Sequence, residues 1–148
     1  MNIERVTKRL VREEGTKKKN GRHVLYKDSV GIWTIGFGRN VQERGISDSE
    51  AYFMLANDIQ DHQEELQHAL PWIADLDEVR QEVLLDLAFN MGVPTLLTFK
   101  STLGFIRDGR YAEARIALLK SKYAGQVGDR AIALADALET GIFKTNEV

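Results

Sequence analysis

Residues 26–38 read YKDSVGIWTIGFG, and the fold turns on how this stretch is read. Apolar and polar side chains alternate through it, the period of a strand rather than a helix. Ser29-Val30-Gly31 interrupts the alternation with turn-forming residues. The pattern predicts a hairpin, with one strand from Val24 to Asp28 and a second from Ile32 to Phe37. On that register Trp33, Ile35 and Phe37 share the face expected to pack, and Ile32, Thr34 and Gly36 share the other. A packed hairpin has no need of an acid beside its turn or a lone threonine opposite its aromatics.

Outward from the hairpin the period becomes helical. Ile3, Val6 and Leu10 predict an amphipathic helix over residues 2–14, with Asn2 as N-cap. The polar run GTKKKNGR at 15–22 reads as a loop. Ser47-Asp48-Ser49-Glu50 fits a capping box, so a long helix is expected from there to Leu70, where Pro71 stops it. Leu55, Ile59, His62, Leu66 and Leu70 form its apolar stripe. A second helix starts near Asp77, turns Val79, Val83, Leu84, Leu87, Ala88 and Met91 inward, and ends at Gly92-Val93-Pro94. Shorter helices are predicted over 95–107 and 111–120, and a last one over 128–140 before Gly141. The expected class is α+β, with a small β-containing part first and a helical part after it.

Composition narrows the chemistry. The chain has 148 residues, 43% hydrophobic and 28% charged, with formal net charge −2, as expected for one globular domain with its own core. Nothing in that balance marks a nucleic-acid binder. The absence of cysteine excludes disulfides and thiol catalysis. The opening residues are too charged for a signal peptide, and no apolar run approaches the roughly 18 residues of a membrane span, so no export route is expected. His23, His62 and His68 lack metal-ligand spacing, so neither metal nor cofactor is expected; His62, on the apolar stripe, reads as a packed histidine. Gly36-Phe37-Gly38 is followed by Val41 where a dinucleotide fingerprint needs glycine, and neither a P-loop nor GxSxG occurs. Lys17, Lys18, Lys19 and Arg22 read as a solvated loop or as a weak attraction for an anionic polymer. Carboxylates remain. Glu14 ends a helix, where negative charge is disfavoured, and Asp28 adjoins a turn, where aspartate is common. On position alone they read either as a catalytic pair or as two ordinary acids.

The stretches Glu13-Glu14-Gly15, YKDSVGIWTIGFG and AFNMG at 88–92 resemble the phage lysozymes of the T-even type, glycoside hydrolase family 24. The similarity continues through FKSTL at 99–103, RYAEA at 110–114, KSKY at 120–123, DRA at 129–131 and TGIF at 140–143. The resemblance implies a lysozyme-like α+β domain over 1–148, with a β-containing lobe at about 14–57. A larger helical lobe, 1–13 plus 58–148, would be joined to it by the long helix, with a cleft between. It implies that Glu14 is the general acid and that Asp28 and Thr34 hold or activate the attacking water. A water between carboxylate and sugar would set the two carboxyls about 6.5–9.5 Å apart and invert the anomeric centre. Phe89 and Asn90 match cleft-lining positions, Asn40 and Thr102 match sugar contacts, and Arg130 matches an arginine that pairs with the catalytic glutamate. Val30 stands where the T-even enzyme has an acid, Tyr123 replaces a tryptophan, and Arg39 replaces a histidine and is expected to face Asp58.

The implied activity is hydrolysis of the β-1,4 bond between N-acetylmuramic acid and N-acetylglucosamine in peptidoglycan. The implied protein is a monomeric endolysin that waits in the host cytoplasm, binds no nucleic acid, and reaches the wall through a holin pore to lyse the cell. Two rivals differ in what they require. A lytic transglycosylase uses the sugar's own hydroxyl and has no need of Asp28 and Thr34. A non-catalytic peptidoglycan-binding module has no need of Glu14 either.

Overall fold

The fold is taken from a computed structural model, which describes residues 1–144. The chain forms two compact units, Met1–Phe53 and Met54–Val148, and the division falls inside the longest helix. Residues 1–13, which the resemblance assigns to the helical lobe, fall in the first unit.

The first unit opens with α1, Ile3–Glu13, capped as expected by Asn2, whose side chain accepts from Arg5 N at 2.9 Å. The segment read as a loop is instead a hairpin. β1 (Lys18–Lys19) pairs antiparallel with β2 (Arg22–His23). Asn20 and Gly21 between them have φ of 52° and 76°, the paired positive values a two-residue type I′ turn demands. β3 (Tyr26–Lys27), β4 (Trp33–Ile35) and β5 (Arg39–Asn40) form an antiparallel sheet in that order. The short helix α2, Val41–Arg44, packs against β4 and β5.

The expected sides of β4 are exchanged. Thr34 is the buried residue, 4% exposed, whereas Trp33 and Phe37 are 44% and 49% exposed. Strands this short have only one face covered, and it is the threonine's. β4 ends at Ile35, and Gly36 (φ 66°) turns the chain before Phe37. Lys27 Nζ covers the Trp33 ring at 5.0 Å, and His23 meets the Phe37 ring edge-on at 5.0 Å.

α3 spans Asp48–Ala69 and begins with the predicted capping box. Ser47 Oγ accepts from Glu50 N at 3.2 Å, and Glu50 Oε1 accepts from Ser47 N at 2.9 Å. Its apolar stripe is buried only toward the C-terminal end, at Leu66 and Leu70; Leu55 and Ile59 are exposed.

The second unit continues with a 3-10 turn, Pro71–Asp75, and then α4 (Glu78–Met91), N-capped by Asp77 as its side chain accepts from Arg80 N. The predicted helix over 95–107 is two pieces, α5 (Val93–Leu96) and α6 (Lys100–Arg107). α7 (Tyr111–Leu119), α8 (Lys122–Val127) and α9 (Asp129–Thr140) follow, and Gly141 closes α9 at φ 76°. α7 packs between α6 and α9, and α4 packs on α9. Val83, Leu84, Leu87, Leu96, Ile106, Leu118 and Leu138 form the centre of the core. Arg80 ties α4 to the end of α9. Its guanidinium donates to Leu138 O at 2.8 Å and Glu139 O at 2.7 Å and lies over the Tyr111 ring. Those carbonyls belong to the last turn of α9, which has no helical donors for them.

Candidate active site

In the first unit, the hairpin turn is built around Asp28. Its Oδ1 accepts from Val30 N and Ile32 N, both at 2.9 Å, the side-chain turn to which aspartate is suited. Its backbone N–H donates to Ile32 O at 2.9 Å. The same carbonyl accepts from Thr34 Oγ1 at 2.9 Å. The peptide groups of Ile32 thus join Asp28 to Thr34. Asp28 Oδ2 makes no hydrogen bond among the described residues. Because Thr34 gives its proton to a carbonyl, its oxygen is left to accept from a second group.

Glu14 arrives from α1. Its backbone N–H closes that helix on Leu10 O at 2.8 Å, and its side chain is exposed. The carboxylate lies over the backbone of the turn between β4 and β5. A Cβ built on Gly38 would come 2.7 Å from Glu14 Oε2. Gly38 also has φ 82°, so two constraints converge on glycine there.

The sheet register fixes which face meets the residues that follow α1. Tyr26 is paired with Thr34, and Thr34 with Asn40, and residues directly opposite project to the same side. Tyr26 reaches from that side to Gly15, its hydroxyl donating to Gly15 O at 2.5 Å. Glu14 is therefore held at the face that carries Thr34. Asn40 belongs to it too, but both ends of its amide are taken up by Glu43. Oδ1 accepts from Glu43 N and Nδ2 donates to Glu43 Oε2, each at 3.0 Å, which makes Asn40 the N-cap of α2.

Arg39 finds a different partner from the one expected. It binds Glu50 through both terminal nitrogens, at 2.9 and 2.6 Å, rather than Asp58. Glu50 is already fixed by the capping box and needs no further ordering. The Arg39 hydrogen bond, followed by those from the Ser47 N–H and hydroxyl, holds the Glu50 carboxyl down at about 2. The pair connects β5 to the start of α3.

In the second unit, Phe89 and Asn90 are exposed near the end of α4, and the Phe89 ring lies against His62 at 5.4 Å. Thr102 is buried on α6, beside a depression lined also by Lys100, Ser121 and Lys122. Arg130, in the first turn of α9, binds Asp86 of α4 through two nitrogens. Asp86 was not singled out from the sequence; an acid at the helix position facing α9 is the signal that was there. Beside this pair the Tyr123 hydroxyl is buried without a described partner, and burial pushes its pKa up. Among the described residues no cluster of histidine and acidic side chains is able to hold a metal ion, and no helix is long and apolar enough to cross a membrane.

A helix-end acid beside a small antiparallel sheet that carries a turn aspartate and a buried threonine, followed by a helical unit, is the α+β organisation of a lysozyme-like protein. The chain belongs to the phage lysozyme family, whose description matches residues 14–135. It is similar to "Probable T4-type lysozyme 1" of Dictyostelium discoideum, with 27% identity over 146 residues, covering 79% of this chain and 86% of the relative. "Probable T4-type lysozyme 2" of the same organism is 26% identical over 149 residues, covering 81% and 88%. Family membership makes the chain a glycoside hydrolase of the lysozyme type, acting on peptidoglycan.

Proposed function

We propose that this chain cleaves the β-1,4 bond between N-acetylmuramic acid and N-acetylglucosamine, with Glu14 as general acid and Asp28 and Thr34 holding the attacking water. One observation carries the reading: through Tyr26 and Gly15, Glu14 is held at the face of the sheet on which Thr34 lies. Glu14 gives its proton to the leaving glycosidic oxygen as the bond to the anomeric carbon breaks. A water oxygen bonds to that carbon and loses a proton to the uncommitted Oδ2 of Asp28. Thr34 accepts the water's other O–H, since its own proton is given to Ile32 O. The water's lone pair is then turned to the sugar. Asn40, Phe89, Asn90, Thr102 and Arg130 are proposed substrate contacts, with Asn40 acting through its cap. The site uses neither metal nor cofactor. In context we propose an endolysin, acting as a monomer, that waits in the host cytoplasm and reaches the wall through a holin pore. The phage family is what supports that setting.

Mass spectrometry of fragments from purified peptidoglycan tests the chemistry, with wild type beside Glu14→Gln. Reducing-end muropeptides from wild type and their loss in the variant are expected. Anhydro ends would move the chain to the lytic transglycosylases, and no release from folded protein would leave a binding module.

A further inference from the structure

Charge is segregated along this chain in a way the reaction itself does not use. Residues 1–27 hold nine lysines and arginines against three glutamates, a charge of +6, whereas residues 28–148 hold eleven against nineteen, a charge of −8. The near-neutral total hides a basic segment on an acidic body. At its centre is the β1–β2 hairpin. Lys17, Lys18 and Lys19 are exposed, and none is in an ion pair with a described residue. The ladder continues from Lys18↔His23 to Lys17, whose carbonyl accepts from Val24 N at 3.0 Å. Lys17 and Lys19 therefore project to one side and Lys18 to the other.

The hairpin is also fixed beside the general acid. Thr16 Oγ1 and His23 Nδ1 share a hydrogen bond at 2.9 Å. His23 rests on Phe37, next to Gly38, over which Glu14 lies. The Tyr26 hydroxyl holds Gly15 O. These contacts fix the lysines close in the fold to the residue that protonates the substrate. Unpaired ammonium groups clustered on one hairpin raise the local concentration of a polyanion, an attraction that fades with salt.

We propose that the β1–β2 hairpin is an electrostatic contact surface for the anionic wall polymer, engaging the carboxylates of its peptide stems while the glycan lies at Glu14. This rests on the wall-hydrolase reading and adds to it a preference for charged over neutralised wall. Charge complementarity selects the occupant. The lysines stand on a polar ribbon with no apolar side chain between them to enter a bilayer, which favours a carboxylate-bearing polymer over a lipid surface.

The test is co-sedimentation with intact sacculi in a Glu14→Gln background, so that the polymer is not consumed. Lys17→Gln/Lys18→Gln/Lys19→Gln should bind about tenfold more weakly at low salt. The gap should close toward about 1 M salt, where the Debye length is ~3 Å. The corresponding triple arginine variant should restore binding. Sacculi whose carboxylates have been amidated should bind the glutamine variant and its parent alike. Unchanged binding by the glutamine variant would overturn the proposal. So would an equal loss on amidated sacculi, or a loss seen only on phosphatidylglycerol vesicles. Because binding is read without turnover, a wild type that releases no muropeptides but keeps this dependence would sink the hydrolase reading and leave the hairpin surface standing.

Discussion

Residues 54–144 contain every buried apolar side chain among the described residues, from Leu66 to Leu138, whereas residues 1–53 bury one side chain to that degree, and it is Thr34. The second unit is held by apolar burial, which is non-directional and tolerates swaps that conserve volume. The first is held by directional bonds: the Asp28 turn, the Ser47–Glu50 box, the Arg39–Glu50 pair and the Tyr26–Gly15 link. Hydrogen bonds fix angles as well as distances, and the candidate chemistry lies where they are concentrated. Stability and geometry are thus assigned to different stretches of one chain.

The strongest challenge to this division is Glu14→Gln. Removal of the proposed general acid should lower muropeptide release by about 10²–10⁴-fold while the melting temperature stays put, since the side chain is exposed. A large change in melting would mean that Glu14 also serves the fold. Leu138→Ala is the converse. Leu138 is fully buried, so calorimetry should record a loss of about 2–5 kcal/mol, with the remaining folded enzyme still active. Gly38→Ala lies between the two. A left-handed backbone costs a non-glycine residue about 1–2 kcal/mol. The new methyl would displace Glu14 Oε2 as well, so activity should fall further than that destabilisation explains. Equal losses in both would argue against the contact.

The smallest effect concerns pH. The Glu50 carboxyl is lowered from 4.5 to about 2 in the folded state. Its contribution is therefore complete above about pH 4.5 and is lost as pH falls through 2. Glu50→Gln should remove that part of the acid-unfolding curve and leave the rest unchanged. An identical curve in the variant would show that the Arg39 pair is too well solvated to matter.

What was legible in the sequence was local. Asn2, the Ser47–Glu50 box, Asp77 and Gly141 each act on backbone within three or four residues, so residue type and spacing expose them. The inward residues Val83, Leu84, Leu87 and Ala88 follow from period alone. The β1–β2 hairpin was missed although Asn20-Gly21 is a strong turn signal, because its flanks carry lysines in place of alternating apolar residues. The acid and hydroxyl of the candidate site were visible, but not the side of the sheet they occupy, which depends on what covers a strand. Arg39 choosing Glu50, and Arg130 binding Asp86, were out of reach for the same reason: partner choice is set by tertiary packing.

Asp28 and Thr34 are connected through the peptide groups of residue 32, and the isoleucine side chain takes no part in the connection. Substitutions at 32 that keep the extended backbone should leave the proposed water site aligned. An amide-to-ester replacement of the bond entering residue 32, which deletes one of the two N–H groups that Asp28 accepts from, would loosen the turn without altering any side chain. The linkage is written in the main chain, where a comparison of side chains would not find it.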